Sequence, residues 1–200
     1  MHQTEQKRYS KTTALVLCGI FAALMAICSF ITIPLGFTPV PINLATLGVF
    51  LTGGILGKKY GSISLIVYIL LGAVGVPVFA GFKGGLGVLA GPTGGYIIGY
   101  LAAAFLTGLL VKLVFTKTGT DSGQRSAKSS TSRFIGIILA MIAGLAACYA
   151  LGTAWFMIST GTGLGAALIS CVIPFLPGDA AKIIVGALLV QKLRPAIPIR

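Results

Sequence analysis

An all-α integral membrane protein of six transmembrane helices is the fold class this chain predicts, on three observations. The 200 residues are 56% hydrophobic and only 9% charged, whereas a soluble domain carries about 25% charged residues. Apolar runs approaching the roughly 20 residues that cross a bilayer recur along the chain. The basic residues collect in alternate connections, as Lys and Arg do in cytoplasmic loops. Mean hydropathy is +1.00, and the apolar segments leave nothing for a second globular core.

The first pass is expected over 12–33, closed by Pro34. The second, 44–57, is short, so it is tilted or partly shielded by its neighbours. The third covers 61–78, the fourth 94–115 and the fifth 134–158. The sixth begins after Pro177-Gly178 and runs to Leu193. An apolar piece at 163–173 is too short to span and reads as a re-entrant or capping segment. No cleavable signal peptide is expected, because the first pass is long and no small-residue cleavage region follows it. The membrane domain is therefore 12–193, between cytoplasmic tails at 1–11 and 194–200. The stretch 116–132, rich in Ser, Thr, Gly, Lys and Asp, reads as a flexible cytoplasmic loop.

Direction follows from charge. Lys7, Arg8 and Lys11 precede the first pass, and Lys58 and Lys59 separate the second and third. Lys112, Lys117, Arg125, Lys128 and Arg133 flank the fourth connection, and Lys192, Arg194 and Arg200 follow the sixth pass. All fall on one side of a model with both termini in the cytoplasm. The opposite connections 34–43 and 159–178 hold no Lys or Arg, leaving Lys83 and Lys182 in the outer half. Topology thus accounts for the net charge of +12. A nucleic-acid site would instead cluster its charge on one folded surface.

Enzymatic chemistry finds little to use. "GLGVLA" (85–90) and "GTGLGA" (161–166) match a dinucleotide-binding pattern but lie in no βαβ unit. "GKK" (57–59) lacks the upstream Gly and the Ser/Thr of a phosphate-binding loop. The single histidine, His2, is in the N-terminal tail. Cys18, Cys28, Cys148 and Cys171 form no CxxC pair and lie in apolar segments. No enzyme activity, metal or cofactor is expected.

The loops opposite the basic side are long and apolar: "PLGFTPVPIN" (34–43), "PVFAGFKGGLGVLAGPTGGY" (77–96) and "STGTGLGAALISCVIPFLPGD" (159–179). Irregular backbone at membrane depth is tolerated only when buried in protein or lining a cavity. They form either a lid-covered pocket or packing plugs. Two small-residue stripes recur at four-residue spacing. Gly91, Gly95, Gly99 and Ala103 suit internal packing. Ala14, Cys18, Ala22 and Ala26 suit packing or docking to another membrane protein equally well.

Asp179 and Lys182 stand in "VIPFLPGDAAKIIVGALL" (172–189). A carboxylate is favoured at a helix N-terminus, and residues three apart share a face. Either charge at the bilayer centre costs about 2.5–3.5 kcal/mol on insertion scales. The pair is either a structural ion pair or a ligand contact.

"GPTGGY" (91–96), "PFLPGD" with Lys182 three residues on (174–182) and "AALMA" (22–26) resemble the BioY family. That family is the biotin-binding S component of energy-coupling factor (ECF) transporters, and the resemblance covers essentially the whole chain. It implies an S-component fold that captures biotin outside the bacterial plasma membrane. It also implies a transmembrane T component and two ABC ATPases as partners, with toppling in the membrane to release substrate. On this resemblance the ligand-binding candidates are Asp179, Lys182, Lys83, Asn43, Phe79, Thr93, Gly94, Gly95 and Tyr96. Docking falls to Ala14, Cys18, Ala22 and Ala26. The alternatives are an S component for another vitamin, thiamine or riboflavin, which needs a more aromatic pocket than a chain with the single Trp155 offers, and a structural membrane protein without ligand.

Overall fold

The computed structural model describes residues 11–117 and 127–197. Helix α1 is Lys11–Phe30, followed by the two-residue strands β1 (Thr32–Ile33) and β2 (Ile42–Asn43). Then come α2 (Ala45–Ala73), the short α3 (Leu86–Ala90), α4 (Gly94–Lys117), α5 (Ala127–Thr160), α6 (Leu164–Cys171) and α7 (Leu176–Leu193). Five helical stretches are long and apolar enough to cross a membrane.

One of these, α2, is two passes. Gly57 breaks it at φ 76°, ψ 179°, a conformation open essentially to glycine alone. The chain reverses there. A Cβ on Gly61 would lie 3.0 Å from the Thr52 carbonyl oxygen and 3.1 Å from the Gly53 Cα. In one continuous helix, residues eight apart are separated by about 12 Å. The six expected passes are thus α1, the two arms of α2, α4, α5 and α7.

The first arm of α2 is the short second pass, and every residue from 48 to 56 is buried. Glycine makes that possible. The Gly53 Cα faces the Ala104 backbone, and a Cβ on Gly108 would lie 2.5 Å from the Lys58 nitrogen. A Cβ on Gly54 would fall 2.6 Å from Val190. The Gly stripe of α4 forms its seam with α5: Gly95 lies against Trp155, and a Cβ on Gly99 would sit 3.1 Å from the Cys148 carbonyl oxygen. The Trp155 indole donates to the Gly91 carbonyl at 2.9 Å.

The Ala stripe of α1 turns inward. Ala14, Cys18 and Ala22 are buried at 6%, 2% and 4% exposure, and Ala26 is half-buried against the core. They face the second arm of α2, where the Ser64 hydroxyl donates to the Cys18 carbonyl at 2.8 Å. In the isolated chain the stripe therefore packs against the bundle. The exposed face of α1 instead carries Leu15, Val16, Gly19, Ile20, Ala23 and Ile27.

Several helix ends also shift. Within the expected loop 116–132, Thr116 and Lys117 end α4, and 127–132 begin α5; 118–126 lie outside the described residues. At 34 residues, α5 measures about 51 Å. It outruns an apolar slab about 30 Å thick, so its polar start can stay helical beyond it. Ser130 there receives the Gln191 amide, at 3.1 Å on its carbonyl and 2.9 Å on its hydroxyl. The sixth pass starts at Leu176, one residue ahead of Pro177, because proline fits the first helical turn.

The two ends of the bundle differ. One end gathers basic groups: Arg194 donates to the Gly54 carbonyl at 2.6 Å, and Arg133 and Arg194 both stack on Phe115. Above it the apolar side chains of Phe50, Val111, Ile137, Met141 and Val190 pack solidly, each 1% exposed or less. The other end carries the three Gly/Pro-rich loops and a hollow.

Candidate functional site

Beneath those loops lies a cavity of about 350 Å³. Three loop devices build its walls. β1 and β2 pair Thr32 with Asn43, closing the Pro-rich segment into a flap over the cavity. Within the flap, buried Thr38 touches the Cys171 thiol at 4.0 Å, tying it to α6. The Asn43 side-chain oxygen accepts from the Ala45 N–H at 3.0 Å. This satisfies a helix-start donor at Ala45, the residue before Thr46.

The second wall is the loop from Val74 to Thr93. Its turns use positive φ at Gly75, Gly81, Phe82 and Gly85. The Phe79 N–H donates to the Lys83 carbonyl at 2.9 Å, and the Gly85 N–H to the Gly72 carbonyl at 2.7 Å. The Phe79 ring therefore lies on Gly72, where no Cβ stands in its way. It meets Tyr68 edge-on, with centroids 5.5 Å apart and an interplanar angle of 78°. Phe82 stacks on Phe30 at 4.4 Å, and exposed Lys83 lines the mouth.

The third wall is the α6–α7 corner. The Tyr96 hydroxyl donates to the Cys171 carbonyl at 3.3 Å and lies 3.2 Å from the Thr153 hydroxyl, joining α4, α5 and the corner. Phe175 adds an apolar surface.

Asp179 is the polar centre. It lies in the first turn of α7 and is 2% exposed. Its Oδ1 accepts from the Thr46 hydroxyl at 2.9 Å and from the Lys182 ammonium at 2.7 Å. Its Oδ2 accepts a short bond from the Tyr149 hydroxyl of α5. Three passes thus converge on one carboxylate. Asp179 is the only acidic residue among those described.

Seven of the expected residues line this cavity: Asp179, Lys182, Lys83, Asn43, Phe79, Thr93 and Tyr96. Gly94 and Gly95 do not. Gly94 abuts the Leu89 backbone and Gly95 abuts Trp155, approaches a Cβ would obstruct. Thr46, Tyr100 and Tyr149 line the cavity without having been signalled by any motif. Trp155 stays outside it, yet the wall is aromatic through Tyr68, Phe79, Tyr96, Tyr100, Tyr149 and Phe175.

Six membrane passes, packed at one end and hollowed at the other around a satisfied but reachable ion pair, define a membrane solute-binding protein. Residues 2–199 match the model of the BioY family. A protein of Thermotoga maritima named "Biotin transporter BioY" is 39% identical, aligned over 90% of this chain and 95% of its own length. One of the same name from Rhizobium etli is 35% identical over 94% and 96%. A crystal structure titled as the S-component for biotin from an ECF-type ABC transporter superposes with a TM-score of 0.76 at 32% identity, covering 98% of this chain and 95% of that one. The chain belongs to the BioY family, a family of transporters rather than enzymes.

Proposed function

We propose that this chain is the biotin-capturing S component of an ECF-type transporter. The observation that carries the reading is the buried Asp179–Lys182 pair lining a cavity whose wall is in large part apolar and aromatic. A ureido ring offers N–H donors beside a carbonyl acceptor, the complement of a carboxylate beside an ammonium. The fused sulfur ring and aliphatic chain suit the Phe79, Val88 and Ile97 wall. The names of the relatives support the same ligand.

The loop end faces outward and both termini face the cytoplasm of a bacterial plasma membrane on this reading. Lys58 and Lys59 beside the Gly57 turn support it, as do Arg133 and Arg194 at the same end. A T component and two ABC ATPases supply the energy, in keeping with a chain whose "GKK" is no phosphate-binding loop. Titration calorimetry on the purified protein is the test. Tight biotin binding with none for thiamine or riboflavin is expected, and folded protein without biotin binding would overturn the proposal.

A further inference from the structure

We propose that the basic end of the bundle holds the phosphate headgroup of an anionic phospholipid at the Arg133–Phe115–Arg194 cluster. Such a contact is independent of the solute cavity, which lies at the other end of the bundle.

Two guanidinium groups are built into one place here. Their central carbons, on Arg133 and Arg194, lie 5.2 Å and 5.0 Å from the centroid of the same ring, Phe115. Arg194 is pinned further, donating to the Gly54 carbonyl at 2.6 Å. Gly54 lies in the last turn before the Gly57 break, where helix carbonyls run short of partners. A guanidinium has five N–H donors, and Gly54 takes one of Arg194's. A fork held in this way loses little freedom on meeting a phosphate, whose oxygens it matches in pairs.

The surroundings add charge of the same sign. Lys112 lies one turn before Phe115, Lys192 two residues before Arg194, and Lys58 and Lys59 directly after Gly57; all four are exposed. Among the described residues no acid stands at this end, because Asp179 is at the other, paired with Lys182. The whole chain sets 15 Lys and Arg against 3 acids, so Glu5 and Asp121 leave the excess in place wherever they lie. Like charges gathered together disfavour one another, and an anion relieves them.

The apolar neighbours select the kind of anion. Leu113, Ile135 and Leu193 are 47%, 52% and 42% exposed, and each stands within two residues of Phe115, Arg133 or Arg194. In a membrane chain such side chains meet acyl chains, which puts the cations beside them at headgroup level, where anionic lipid attracts Lys and Arg. A soluble phosphate answers only the charge. An anionic phospholipid answers both, with its phosphate on the guanidinium groups and its acyl chains along the leucines and isoleucine.

Thermal midpoints test this on the purified full chain, in detergent micelles mixed with phosphatidylcholine or with phosphatidylglycerol, and in lipid-free micelles with inorganic phosphate at matched ionic strength. Phosphatidylglycerol should raise the midpoint above the phosphatidylcholine value by at least about 2–4 °C, the scale of one engaged cation in a chain of this size. High salt should shrink that rise. Arg133→Gln leaves the Arg194–Gly54 bond in place and should remove roughly half of the rise or more. Lys192→Gln removes the same charge from an exposed side chain and should remove less. The midpoints in phosphatidylcholine show that both variants are folded. A rise that is equal for the two lipids, or reproduced by inorganic phosphate without lipid, would overturn the proposal. So would a loss in Arg133→Gln no greater than in Lys192→Gln, which would mean diffuse attraction rather than a site.

Discussion

Replacing Asp179 with Asn keeps the side-chain shape and removes the charge. Three donors now compete for one carbonyl oxygen: the Thr46 hydroxyl, the Tyr149 hydroxyl and the Lys182 ammonium. Lys182 is 8% exposed, so its charge stands buried and unanswered. Breaking such a pair costs about 3–5 kcal/mol. Asp179→Asn should therefore unfold at markedly lower denaturant concentration in detergent. Lys182→Met in the same background removes the stranded ammonium and should restore most of that loss. A residual deficit of about 1–3 kcal/mol is expected, because one hydroxyl still lacks an acceptor. Biotin binding separates the roles. As ligand contacts, Asp179 and Lys182 are both absent from the double variant, so its stability returns while its affinity does not. A double variant that regains stability and near-native affinity together would refute the ligand role and leave a purely structural pair. An Asp179→Asn protein as stable as wild type would refute the burial argument as well.

Two further changes test the packing. Ala22→Trp inserts a large ring into a position 4% exposed, where overpacking costs roughly 1–3 kcal/mol or more; stability and biotin binding should fall together, and lost transport with intact binding would instead mark an outward docking face. Gly57→Ala forces a Cβ into the φ 76°, ψ 179° turn at about 1–3 kcal/mol of strain, and a thermal midpoint equal to wild type would show that the two arms of α2 do not need that turn.

The passes, their alternation and the charged pair were legible because each leaves a local mark: apolar length, a lysine pair, two ions in a greasy stretch. What stayed hidden has no local mark. Thr46 and Tyr149 sit singly in apolar passes, and only the crossing of α2, α5 and α7 brings them to one carboxylate. The rotation of α1 about its axis was equally invisible. A small-residue stripe at four-residue spacing reads the same whether it faces the bundle or lipid, and burial of Cys18 against the Tyr60 carbonyl at 3.4 Å decides it. "GPTGGY" carries two signals at once. Its motif residues include both ligand wall and packing seam, with Thr93 and Tyr96 on the cavity and the two glycines against Leu89 and Trp155.

The sheltered second pass bears on how the chain enters a membrane. Residues 45–56 reach roughly 18 Å, against an apolar thickness of about 30 Å. Such a stub has little to hold it in lipid by itself, and its native surroundings are α1, α4 and α7 rather than acyl chains. It should partition only once residues 58–73 have been made and have folded back along it. A cysteine at position 45 is then expected to react with a water-soluble alkylating reagent in a chain ended at residue 57, and to be protected in one ended at residue 73. Equal protection in both would contradict this order. On this account the translocating machinery handles the hairpin around Gly57 as a single insertion unit.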